Sequence, residues 1–399
     1  MLFAEARRKA RLSPFCGWPR TAPAGGASLH RTVLTRRSIL KAGSAFVVFN
    51  GCQLQLEIPP DATYDEVLDL LNTTDFEFGQ GLSNHGPMVA ETFLAMGRPD
   101  RVAPYMKGYV GQLRTRNEGK PLAESEQAAA LGDIEKREEW AATYERDLET
   151  MSPEALIQRE FPKLALGWGI FGMHGLIRTA HAYRGLLRQD TPARRKELAQ
   201  GLGYWAARHE LLPGTPGAQP QAGLDVLTAL QQVQPIPASE QLHGGLIGPR
   251  MAKLKGNSAF AATVESVDLN TGTPERLLGD VIGAATRLLV NVKPKDIALL
   301  HGVTGSAALR ILFPVLDASN QRLAVGAAFQ VVAALFAAQC SAPEQFDPVA
   351  DPSGTADSLL AAAAEMRDEH AIKLTETCVR EFRVTGKPEL LRAAELYVA

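Results

Sequence analysis

His370 and Lys373 stand three residues apart in Asp368-Glu369-His370-Ala371-Ile372-Lys373-Leu374-Thr375-Glu376, so a helix there carries both on one face. Three further segments place a histidine in a short, distinctive setting: Asn84-His85-Gly86-Pro87-Met88, His174-Gly175-Leu176-Ile177-Arg178-Thr179-Ala180-His181 and Leu300-His301-Gly302-Val303-Thr304-Gly305. Imidazole is the commonest protein ligand for transition metals and binds them while neutral. A single histidine is more often a satisfied core or surface residue than a ligand, so a metal reading rests on the joint setting. His85 precedes Pro87, the expected first residue of a helix. His174 opens an apolar helix, and His181, two turns on and ~10.5 Å along the axis, shares its face. Ligand pairs on one helix normally fall three or four residues apart, so only one of His174 and His181 is expected on a single ion. His301 follows an apolar run that Gly302 is expected to end. Asp368 and Glu369 offer ordinary carboxylates, but project about 200° and about 100° away from His370 on a helix; Asp368 is placed to accept a histidine N–H.

Helix signals dominate the rest of the chain. Ser152-Pro153, Thr191-Pro192 and Thr273-Pro274 each pair a capping hydroxyl with proline at the first helical position. Thr63-Tyr64-Asp65-Glu66 has capping-box spacing. Apolar-periodic stretches run over about 62–73, 87–97, 122–150, 162–188, 192–212, 274–292, 320–340 and 357–384. Ala261 to Leu269 is the only modest strand candidate. The expected class is all-α, with one large domain over 57–399. Leu323 to Cys340 is nearly all apolar but carries Gln330 and Gln339, and reads as a helix buried on all sides rather than a membrane span. Gly167-Trp168-Gly169-Ile170-Phe171-Gly172 matches the dinucleotide-binding pattern by letters alone, with a helix where its second strand should follow.

The four histidine settings, in this order, resemble the questin oxidase-like family, whose members oxygenate anthraquinones and related aromatic polyketides. The resemblance spans about Asn84 to Glu376. It implies an oxidoreductase acting with dioxygen on a small aromatic, quinone-like substrate, by oxygen insertion of Baeyer–Villiger type or by ring cleavage. Some members resemble non-haem iron dioxygenases whose metal is held by four histidines and a carboxylated lysine. Carried over by position, this implies His85, His174, His301, His370 and Lys373 as iron ligands. His174 matches the family motif better than His181; some members have a second histidine four residues after the first, where this chain has Arg178. His181 or Arg178 is then expected to orient or protonate the substrate oxygen. Met88, Phe93, Trp168 and Phe171 are expected either to wall an aromatic pocket or to be plain core. The family also admits metal-free, NADPH-dependent oxygenation, although no nicotinamide or flavin fingerprint is visible here. A different class of function, a non-catalytic helical carrier of haem or a hydrophobic small molecule, fits the same composition.

Charge is unevenly divided along the 399 residues. The net charge of -2 splits into +8 over residues 1–56, with nine Lys/Arg and Glu5, and -10 over the remainder. The mildly acidic body offers no electrostatic case for nucleic acid. Thr35-Arg36-Arg37-Ser38-Ile39-Leu40-Lys41 has the arginine pair of a twin-arginine export signal, followed by a short apolar run from Ala42 to Gly51. Residues 1–56 therefore read as a cleavable signal taking the chain to the periplasm or beyond; an organellar transit peptide or a cytoplasmic basic tail is the alternative. Cys52 has a poor lipoprotein context. Cys340 and Cys378 lack metal-ligand spacing and read as buried thiols.

Overall fold

The computed structural model describes residues 47–50, 53–171, 173–242, 245–292 and 295–399. The arginine pair at 36 and 37, and with it most of the expected signal segment, lies outside them. The described residues fall in one compact unit.

Seventeen α-helices occur among the described residues. They are α1 (Tyr64–Leu71), α2 (Gly86–Ala95), α3 (Val102–Tyr109), α4 (Glu124–Ala130), α5 (Arg137–Asp147), α6 (Pro153–Leu164), α7 (Met173–Arg188), α8 (Pro192–Ala207) and α9 (Val226–Gln232). After these come α10 (Ile247–Met251), α11 (Ser258–Ser266), α12 (Pro274–Asn291), α13 (Ile297–Leu312), α14 (Ala318–Gln339), α15 (Ala356–Ala364), α16 (Glu369–Thr385) and α17 (Pro388–Val398). Among the described residues, strands are confined to two antiparallel hairpins, β1 (Val47–Asn50) with β2 (Gln53–Leu56), and β3 (Glu77–Phe78) with β4 (Leu82–Ser83). The fold is all-α.

The expected helix starts hold in atomic detail. Thr63 and Glu66 make a reciprocal capping box, and the hydroxyls of Ser152, Thr191 and Thr273 accept the backbone N–H groups of Ala155, Arg194 and Arg276. Two expectations change. Ala261 to Leu269 is not a strand; most of it lies in α11, started by Asn257, whose side chain accepts the Phe260 N–H. Gly302 does not end its segment, because α13 continues to Leu312. A β-carbon there would lie 2.6 Å from Leu335 Cδ1 on α14, so the glycine serves close helix packing rather than termination.

Both α14 and the stretch Ile297–Val315 are long and apolar enough to cross a bilayer, yet most of each is buried within the protein. Val325 to Ala338 of α14 is buried without interruption, which makes it the central core helix. Gln330 is kept in that core by donating to the carbonyls of Pro213 and Gly214. The glycine-rich run from Gly167 is a turn between α6 and α7 with no strand before it, so no dinucleotide-binding unit is built. Cys340 and Cys378 are free and buried.

Four helices, α2, α7, α13 and α16, run in parallel. Their N-terminal ends meet through His85, His174, His301 and His370. Further along, the same four helices meet again: Glu91 of α2 with His181 and Arg184 of α7, Arg184 with Glu376 of α16, and Glu381 of α16 with Arg310 of α13. Parallel neighbours need long crossovers, and the intervening helices supply them.

Candidate metal centre

Each histidine is placed by the start of its helix. His85 is the N-cap residue of α2, its backbone N–H donating to the Tyr109 hydroxyl at 2.6 Å. The next amide, of Gly86, donates to Asn84 Oδ1 at 3.0 Å, and Asn84 is itself tied to Thr74. His174 is the second residue of α7, and His370 the second of α16. His301 lies in the first turns of α13, which Asp296 caps by accepting the N–H groups of Ala298 and Leu299. Asp368 does the same for α16, accepting from His370 and Ala371.

The four imidazoles converge. One ring nitrogen from each of His85, His174, His301 and His370 lies within 4.8 Å of the others. His174 Nε2 and His301 Nε2 are 2.8 Å apart. Two imidazole nitrogens at about 2.0–2.1 Å from one ion and at right angles would be ~3 Å apart, so the spacing suits adjacent ligands. His301 Nδ1 lies 2.6 Å from the Ile297 carbonyl oxygen, which can only accept. Nδ1 therefore carries the proton, and the Nε2 lone pair faces His174. His85 Nδ1 is buried and has no hydrogen-bond partner.

Electrostatics keep this cluster neutral. Burial lowers all four histidines, reinforced by the Lys373 charge; His301 is held down to about 4 and His370 to about 2. Four helix N-termini add positive macrodipole ends, which disfavour protonated imidazole and favour an anion. Lys373 is 2% exposed, and no carboxylate among the described residues forms an ion pair with it. Burial pushes its amine down to about 8, against the opposing pull of Glu369 and Asp368. An isolated buried ammonium is costly, so the environment favours the neutral, nucleophilic amine.

The donor set fits a transition metal: four imidazoles whose ring nitrogens converge, one tautomer fixed by a carbonyl, and a buried amine one helical turn from His370. Four of the five residues singled out as ligands in the sequence, His85, His174, His301 and His370, are brought to one place; Lys373 is buried one helical turn after His370, and its charge bears on all four imidazoles. Arg178 and His181, expected to orient substrate, lie outside the cluster. Arg178 is held by Glu197 at 2.6 and 2.7 Å and by Gln200 at 2.8 Å. His181 Nδ1 is 2.8 Å from Glu91, two helical turns below His174. Asp368 is used as a cap; its carboxylate is 3.9 Å from His370 Nδ1. Met88, Phe93 and Trp168 are fully buried core residues; Phe171 is partly buried and carries the Arg208 guanidinium 5.7 Å above its ring.

Sequence reasoning missed three features. Glu369 approaches His85 and His370, Tyr109 fixes the His85 backbone, and a buried charge network runs beneath the cluster. Comparison with protein-family models and with curated proteins found no match.

Proposed function

We propose that this chain is a mononuclear non-haem iron oxygenase, with His85, His174, His301 and His370 as nitrogen ligands and Lys373 as a carboxylated, anionic fifth ligand. The single observation that carries this reading is the convergence of four imidazole nitrogens from four separate helices within 4.8 Å. Among transition metals, iron is chosen on the likeness of the histidine settings to the questin oxidase-like family. The same likeness suggests a small aromatic, quinone-like substrate, oxidised with dioxygen by oxygen insertion or ring cleavage. A haem carrier is served less well, because ligands to a haem stand on opposite faces of a flat ring, whereas these four converge on one point.

Bound iron would supply the redox chemistry with dioxygen that such a reaction needs. The protein's own residues set the conditions. A lysine amine at about 8 is roughly a tenth neutral at pH 7, against about 0.03% at 10.5. Neutral amine and carbon dioxide combine to a carbamate with loss of one proton, turning a cation into an oxygen donor. The N-terminal ends of the four helices stabilise that new negative charge. The basic segment with Arg36 and Arg37 is proposed to address the chain to twin-arginine export, which carries proteins already folded around a metal.

Oxygen uptake tests the function. Chain reconstituted with Fe2+ under anaerobic conditions, then given air and an anthraquinone-type substrate, is expected to consume dioxygen only when both metal and substrate are present. Equal uptake by metal-free chain with NADPH would instead assign the metal-free mode of oxygenation.

A further inference from the structure

Glu369, the first residue of α16, does more than open a helix. Its carboxylate lies 3.6 Å from His85 Nδ1 and 3.8 Å from His370 Nδ1. It stands four residues before Lys373, on the same helical face. Among the described residues it is the one carboxylate within ion-pair distance of two of the four clustered histidines; Asp368 reaches only His370. An acid at a helix start is ordinarily explained by the macrodipole alone. That does not account for its approach to a buried imidazole of another helix whose Nδ1 has no other partner.

We propose that Glu369 is the positioning residue of the centre: its carboxylate, 3.6 Å from His85 Nδ1 and so just beyond hydrogen-bond distance here, draws in to accept that Nδ1–H when the ion is bound and steadies His370, so that the Nε2 lone pair of each is presented to the ion. At His301 the Ile297 carbonyl already does this work, and outer carboxylates on ligating histidines fix ring orientation in the same way. The inference rests on the four-histidine metal centre proposed above.

The test uses the full chain, its Glu369→Ala and Glu369→Gln variants, and Co2+ as the probe, read by its visible ligand-field bands and by X-ray absorption. Glu369→Ala is expected to weaken Co2+ binding about 10- to 100-fold. Glu369→Gln, whose side-chain carbonyl still accepts the N–H, is expected to recover most of the loss. The number of nitrogen and oxygen donors on the metal is expected to be the same in all three. Parent-like affinity in Glu369→Ala would overturn the proposal and make the residue a helix-terminal acid only. Loss of one oxygen donor in both variants would overturn it too, by making Glu369 a ligand. A parent chain that binds no Co2+ would be a separate failure, of the four-histidine centre itself.

Discussion

The chemistry of Lys373 is set by where its charge cannot go. It is buried, unpaired with any described carboxylate, and its ammonium would oppose protonation of the clustered imidazoles. Replacing it with methionine, of similar length and no charge, removes that burden from the metal-free fold. Metal-free Lys373→Met is therefore expected to melt at or above the parent temperature, while iron binding falls at least tenfold; a lower melting temperature with unchanged iron binding would make Lys373 a structural cation. The histidines make a second prediction. Their folded values lie below the unfolded value of about 6.5, with His301 at about 4 and His370 at about 2. Below 6.5 the unfolded chain takes up protons that the folded chain does not, so stability present above 6.5 is lost as pH falls. Each such group contributes a slope of up to about 1.4 kcal/mol per pH unit. Urea unfolding of the metal-free chain between pH 7 and 5 should show this loss, and His301→Gln should reduce it by about one group's share.

At the scale of elements, the histidines are brought together by helices that meet at their beginnings, and α7 is the best seated of them. A β-carbon at Gly175, next to His174, would lie 2.4 Å from the Trp205 Cα of α8. Gly175→Ala is expected to cost about 1–3 kcal/mol, because backbone rather than a flexible side chain must move. It should also weaken metal binding by shifting His174. Gly108→Ala, with open space around it, is the control and should be neutral or slightly stabilising in denaturant titration. Much of this was legible in the sequence. The Ser-Pro and Thr-Pro starts and the capping box declare themselves locally, and His85 and His174 sat beside readable helix starts; the starts before His301 and His370, capped by Asp296 and Asp368, were not read. Glu369 was not legible, because its angular offset from His370 is a property of one helix, whereas its approach to His85 is a property of two. Tyr109 was missed for the same reason: its bond to the His85 amide joins residues 24 apart with no pattern between them. The strand reading of Ala261 to Leu269 failed because its short run of β-branched residues could not outweigh the Asn257 cap and tertiary packing.

Across the whole molecule, the parallel bundle carries two tiers, neutral imidazoles at the helix starts and paired charges beneath. Burial alone would raise the Glu91 carboxyl, but Arg184 and His181 hold it down to about 2. Arg184 also reaches Glu376, so one guanidinium ties α2, α7 and α16 together. Arg184→Ala would remove the cation shared by two buried carboxylates, leaving Glu91 to His181 and Glu376 to Arg380, and is expected to destabilise the fold by about 3 kcal/mol, measured by urea unfolding; a loss below about 1 kcal/mol would show that the tier does not hold the bundle. On the proposed reading, that bundle brings four helix starts to one ion. The most direct measurement is the iron content of the full chain after anaerobic loading with Fe2+ and removal of excess, beside His85→Ala, His301→Ala and His370→Ala. About one iron per chain in the parent, with sharply less in each variant, is the expected result. A parent that retains no iron, or three variants that retain as much as the parent, would contradict a four-histidine metal centre.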